Sequence, residues 1–225
     1  RAELEGQMTV TFKGSNKSLE YKGVTGALGV GRESGGNKKA DIKLVTSTGD
    51  KGISIKKDGP FRWSSAMKTH GNIFHKIMGD AYKGKRDDLK LIPDQENPRV
   101  LIMMNPKNNL PYGRIHVINA PGLDFETMAF GSDKVSVVQR TFEDDDFNFE
   151  NGVLTITATK VYDKVDDFND EDQPIIQFER NASKATKTDG YTGRGITIRT
   201  VPISVRNKIT SRANYLTIDY NDLDL

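Results

Sequence analysis

The sequence predicts an α+β fold built on a mixed β-sheet, and two observations carry that reading. Alternation of apolar and polar residues with period two recurs in MTVTFKG, SLEYKG, ADIKLV, GISIKK, RIHVINA, VLTITATKVY, PIIQFER and GITIRTVPISV, with clusters of Gly, Asn, Asp and Ser between them. One segment changes to a period of three to four: Trp63, Met67, Phe74, Ile77, Met78 and Ala81. Strands that surround one helix, rather than alternate with helices, argue against a doubly wound parallel sheet.

The elements follow in order. RAELEGQ reads as the end of a short helix ahead of Gly6. Two alternating segments then lead to the glycine-rich GALGVGRESGG, from Gly26 to Gly36. Its G-x-G spacing invites a nucleotide-binding reading, which fails because a phosphate-cradling loop opens a helix and this one leads to the strand ADIKL. A loop that carries Arg32, Lys38 and Lys39 toward a polyanion is the functional alternative to a plain connector. The hairpin ADIKL–GISIKK comes next, and the helix after it takes Ser64 or Ser65 as its N-cap. Gly71 inside that helix weakens it by about 1 kcal/mol relative to alanine. Strands fill the remainder.

At 225 residues the chain fits one domain, 1–225, with a core motif region at 1–95 and a strand-rich completion at 96–225. With 35% hydrophobic and 28% charged residues the composition is that of an ordinary globular protein, and no apolar run is long enough to cross a bilayer. The chain has no cysteine, which excludes disulfides, thiolate-bound zinc and a cysteine nucleophile and fits a reducing, cytoplasmic setting. A start at Arg1 rather than Met points to a processed product, and no signal-peptide pattern is visible. The net charge of +2 conceals segregation. Basic residues recur from Arg1 to Lys90 and again from Arg180 to Arg212, while FEDDDFNFENG and DKVDDFNDEDQ form an acidic middle. Such a pattern suits a protein that offers a positive face to a polyanion, and it also suits plain solvated loops.

The hairpin carries the chemistry. Alternation puts Ala40, Ile42 and Leu44 on one face and Asp41 and Lys43 on the other; on the next strand Ile53 and Ile55 turn inward while Ser54 and Lys56 emerge opposite. An acid on one strand and a lysine on its neighbour are what metal-dependent phosphodiester cleavage requires. The carboxylate holds a hard cation such as Mg2+ or Mn2+, and the ammonium orients the attacking water and neutralises charge on the phosphorus. The ordinary alternative is a cross-strand ion pair on a solvated face.

ADIKL followed by GISIKKD resembles the PD-(D/E)XK motif of restriction-endonuclease-like nucleases, in which a strand-borne Asp precedes Glu-X-Lys on the neighbouring strand. Asp41 and Ser54 are 13 residues apart, within the family's range. The chain departs from the pattern in having Ala40 in place of Pro and Ser54 in place of Glu. Ser54 therefore supplies a hydroxyl instead of a carboxylate. The wider run from GALGVGRESGGNKKADIKL through GISIKKDGPFRWSSA also resembles phage-encoded proteins with this type of fold, with a weaker echo in FGSDKVSVVQRTF and GRGITIRTVP. The resemblance implies a restriction-endonuclease-like mixed sheet flanked by helices. It also implies a Mg2+- or Mn2+-dependent endonuclease acting on duplex DNA, type II restriction-like, working in a bacterial or phage-infected host cell. Asp41, Ser54 and Glu5 would be metal ligands, with Glu5 supplying an extra acid from the first helix and Lys56 completing the catalytic set. A homodimer matches cleavage of both strands at a symmetric site.

Other residues carry less. His70 and His75 are five apart and do not stack on one helix face, which argues against a histidine metal site. The acidic clusters lack the alternation of a calcium loop. Arg62 and Trp63 follow the motif, where a side chain could meet a phosphate or a base, although a tryptophan there is more often a core anchor. Arg194, Arg199 and Arg206 belong to the densest basic set and would read guanine edges or clamp phosphates. The rival readings are a DNA-binding or phage accessory protein that does not cut, and a β-rich structural or assembly component.

Overall fold

The computed structural model describes residues 2–30, 38–59, 62–65, 68–93, 101–121, 124–188, 191–204 and 215–223. In chain order its strands are β1 (Ala2–Lys13), β2 (Ser18–Gly29), β3 (Ile42–Thr46), β4 (Lys51–Lys56), β5 (Ser64–Ser65), β6 (Lys90–Pro93), β7 (Leu101–Asn105) and β8 (Leu110–Pro111). They continue with β9 (Arg114–Ile118), β10 (Ser136–Gln139), β11 (Phe147–Glu150), β12 (Val153–Thr157), β13 (Lys160–Tyr162), β14 (Pro174–Thr188), β15 (Tyr191–Pro202) and β16 (Tyr215–Asp219). The helices are α1 (Lys68–Tyr82) and α2 (Phe125–Phe130). The protein is α+β, rich in strands and poor in helix, with mixed sheets. It divides into two compact units, Arg1–Phe61 with Asp124–Asp170 and Arg62–Leu123 with Glu171–Leu225. Neither unit coincides with the 1–95 and 96–225 parts that the sequence pattern suggests.

The first unit is an eight-stranded sheet in the order β11-β12-β1-β2-β3-β4-β10-β13. The pairs β1/β12 and β4/β10 are parallel and the others antiparallel. Its two ends meet. Between β12 and β13 the Ala158 N–H donates to the Lys13 carbonyl at 2.9 Å, while the Thr159 N–H donates to the Gln139 carbonyl at 2.8 Å. The chain from β12 to β13 therefore lies between β1 and β10 and closes the sheet into a small barrel, which removes most of its exposed edges. Alternation fills the interior: Val10, Phe12, Val24, Leu44, Ile53, Val138, Ile156 and Val161 form one buried cluster drawn from every strand of the ring. Tyr21 on β2 crosses this interior to Ser136 on β10, with 2.6 Å between their oxygens. Outside, the register aligns Ser54, Val137 and Tyr162 in a row across β4, β10 and β13. Phe168 packs edge-on against Tyr162 at 5.3 Å and stacks on Phe130 of α2 at 5.8 Å, covering that row.

The second unit is built on a five-stranded sheet, β16-β9-β14-β15-β5, accompanied by the small sheet β6-β7-β8. The helix α1 lays Ile73, Phe74, Ile77 and Met78 on one face of the larger sheet, against Ile115, Ile176, Phe178, Ile198 and Ile218. Phe74 and Phe178 meet at 5.2 Å. Trp63 is buried, its indole N–H donating to the Asp172 carbonyl at 3.2 Å, so it is a core anchor.

Every segment read as alternating from the sequence contains a strand. Two elements differ from expectation. Residues 2–7 are strand rather than the end of a helix, because they pair with β2, Ala2 opposite Ala27 and Glu3 opposite Gly26. The helix α1 starts at Lys68, and Ser64–Ser65 are extended against Arg199 and Thr200 rather than capping it. Met67 lies outside the described residues. Among the described residues no helix is long and apolar enough to cross a membrane.

Candidate functional site

The β3–β4 hairpin decides where the candidate side chains go. Ile42 stands opposite Ile53 at the start of β3, and Asp41 immediately precedes it. The Asp41 backbone is held from both sides: its N–H donates to the Ile53 carbonyl at 2.8 Å, and its carbonyl accepts from Val30 N–H at 2.9 Å. Its carboxylate turns along β4. Asp41 Oδ2 accepts the Ile55 N–H at 2.7 Å and the Ser54 hydroxyl at 3.2 Å. Ser54 is buried while Asp41 is exposed, so the serine fixes the carboxylate from beneath and leaves it open to solvent. Lys56, two residues on, shares the outward face of Ser54. Burial holds its ammonium below the usual lysine range, against the opposing pull of the Asp41 carboxylate.

A second lysine joins them. Burial, reinforced by the charge of Lys56, pushes Lys39 down to about 8, while Asp133 acts in the opposite sense. The Lys39 ammonium donates to the Met128 carbonyl near the C-terminal end of α2, a position that favours a cation. Asp133 follows α2, and its carboxylate accepts the Lys39 N–H at 3.0 Å from both oxygens and the Ala40 N–H at 3.1 Å. The segment that presents Asp41 is thus latched to the loop ahead of β10. This latch also breaks the simple alternation: the Ala40 methyl lies 3.2 Å from where a Gly52 Cβ would stand, with Val135 on the same side. Ala40 therefore faces outward, not inward with Ile42 and Leu44.

The donor set can be tested against a divalent cation. A hard ion such as Mg2+ or Mn2+ takes oxygen ligands, and the group offers it one exposed carboxylate, that of Asp41, whose Oδ2 already accepts from the Ser54 hydroxyl and the Ile55 N–H. Ser54 gives its hydroxyl proton to Asp41 and orients that ligand. The backbone sets Glu5 at another level of the sheet. It lies on β1 in the stretch opposite residues 24–26, which pair with Val45 and Thr46, whereas Asp41 sits beyond the other end of β3. Among the described residues no three His, Cys, Asp or Glu side chains stand together as a metal cluster.

The remaining candidates are dispersed. Lys38 is exposed on the same segment as Lys39. Arg62, Arg194 and Arg199 belong to the second unit. Arg62 is exposed, Arg194 stands opposite Ala185, and Arg199 pairs with Glu179 at 2.7 Å. Arg32 and Arg206 lie outside the described residues. Asp133 was not foreseeable from the hairpin, because its role arises from the parallel pairing of β10 with β4. The only trace in the sequence is an acid in the turn ahead of SVVQ. Glu179, which pairs with both Arg199 and Arg114, comes likewise from a separate strand. No protein-family model, curated protein or solved structure matches the chain.

Proposed function

We propose that the protein is a metal-dependent endonuclease that hydrolyses phosphodiester bonds in duplex DNA, on a divergent restriction-endonuclease-like arrangement. The observation that supports this most is the meeting of three groups on one outward face of the hairpin. Ser54 donates to the Asp41 carboxylate at 3.2 Å, and the charge of that carboxylate acts on Lys56. Asp41 would hold Mg2+ or Mn2+; the ion, when bound, supplies a water acidic enough to attack phosphorus. Lys56 orients that water and offsets negative charge as it builds on the phosphate, and its partial burial strengthens both effects. Ser54 positions Asp41, and Lys39 adds a second cation within reach of the charge of Lys56. A two-fold dimer is the assembly this reading expects when both strands are cut.

A second reading, DNA binding without cleavage, is favoured by one specific feature. The position that carries a ligating acid in the nuclease motif is here a serine whose hydroxyl is engaged with Asp41. Incubation of supercoiled plasmid with Mg2+ or Mn2+ separates the two. The nuclease reading expects nicked or linear product that EDTA abolishes and Lys56→Ala reduces by about 100-fold or more. Retention of DNA in a gel shift with no product under either metal would leave the binding reading in its place.

A further inference from the structure

The second unit carries a charged cluster that the hairpin site does not use. On its five-stranded sheet Arg114 stands opposite Glu179, Glu179 opposite Thr197, and Arg199 opposite Gln177. All of these face away from α1, since the alternating Ile115, Phe178 and Ile198 belong to the core under the helix. Each oxygen of Glu179 is taken by a different arginine: Oε2 by Arg199 Nη1 at 2.7 Å and Oε1 by Arg114 Nη2 at 3.3 Å. The group is largely withdrawn from water, with 18% of the Arg199 side chain and 34% of the Arg114 side chain exposed. Arg199 Nε is buried and finds no hydrogen-bond partner among the described residues.

Among the described residues one carboxylate answers these two guanidinium groups, and the charge of a third, Arg62, also acts on Arg199. Trp63 N–H donates to the Thr200 carbonyl at 2.8 Å, which brings the preceding Arg62 to the edge of β15. Burial holds the Arg199 guanidinium below the usual arginine range; Glu179 opposes this, while the charges of Arg62 and Arg114 add to it. Withdrawing an excess of positive charge from water is costly unless an anion answers it. A guanidinium that spends one N–H edge on Glu179 keeps other donors for a second acceptor, and arginine forks match the oxygens of phosphate.

We propose that Arg62, Arg114 and Arg199 form a binding site for a phosphate-class oxyanion, with Glu179 holding the two inner guanidinium groups in place. The site stands on the second unit alone and does not depend on the cleavage reading. The anion is either a terminal phosphate monoester or a phosphodiester of a nucleic-acid backbone, and both present the same oxygens.

Isothermal titration of the full chain tests it, with inorganic phosphate as the first probe and sodium chloride at matched ionic strength as the control. The expected result is saturable phosphate binding that Arg62→Gln and Arg114→Gln each weaken by about tenfold, the loss of one charge-assisted hydrogen bond, while Lys22→Gln, a change at an exposed lysine of the first unit, binds as wild type does. Arg62 is exposed, so its replacement leaves folding intact even if Arg114→Gln does not. A single-stranded oligonucleotide with and without a 5′-phosphate then assigns the source. Preference for the phosphorylated form identifies a monoester site, and equal binding with the same loss in Arg62→Gln identifies the backbone. No phosphate binding beyond the chloride control, or binding unchanged in Arg62→Gln, would overturn the proposal, whatever plasmid cleavage shows.

Discussion

At the residue scale, burial and hydrogen bonding set what each candidate group does. Asp41 keeps an exposed carboxylate because Ile55 N–H and the Ser54 hydroxyl hold it at the rim of β4. Buried histidines serve the core instead. His70 on α1 is wholly buried, its Nε2 is 3.1 Å from the Thr200 hydroxyl, and burial pushes it down to about 4. The unfolded chain takes a proton on this imidazole near pH 6.5 and the folded chain only near pH 4. Stability is therefore full above pH 6.5 and falls as the pH drops towards 4, by about 3 kcal/mol from this residue. Urea unfolding across that range should show the slope in the wild type and a flatter one in His70→Gln. Ser54 and Lys56 were legible in the sequence as sharing a face of β4 because period two suffices to place them, whereas at Ala40 and Asp41 the alternation breaks. Asp133 was not, since nothing local links an acid in the turn before β10 to the amides of Lys39 and Ala40.

At the element scale, tertiary pairing outweighed local preference at two helix ends. AELE contains good helix formers, yet pairing with β2 makes residues 2–13 a strand, with Gly6 at φ +120°, a value no right-handed helix accepts. The period-three-to-four pattern in α1 was legible because a helix must bury one stripe, and Phe74, Ile77, Met78 and Ala81 are that stripe. Gly71 sits within α1 with nothing within 4 Å of the position its Cβ would take. Gly71→Ala should accordingly stabilise the protein by about 0.5–1 kcal/mol, read as a higher denaturation midpoint. The latch between the loop after α2 and the segment ahead of β3 makes the opposite prediction. Asp133→Ala removes the acceptor of two backbone N–H groups and should cost about 1–3 kcal/mol. Hydrogen exchange should then show faster amides at Lys39 and Ala40 while those in the interior of β4 keep their protection.

At the scale of the whole molecule, the α+β class was legible because strand patterns recur along nearly the full chain. The division into two units was not, because each unit is assembled from two separated segments and no change of composition marks residues 61–62 or 170–171. The charge segregation now has places: Lys38, Lys39 and Lys56 on the first unit, Arg62, Arg114 and Arg199 on the second. If duplex DNA is the partner, its affinity should fall linearly on a log–log plot against salt, and Lys56→Ala should reduce the slope by about one, as fluorescence anisotropy would record. The central claim, that Asp41 and Lys56 act together on a phosphodiester, is tested most directly by plasmid cleavage under Mg2+ or Mn2+ with the wild type, Asp41→Asn and Lys56→Ala side by side. The account predicts cleavage by the wild type alone, with each variant slower by about 100-fold or more and still folded. Cleavage that persists undiminished in either variant would contradict it.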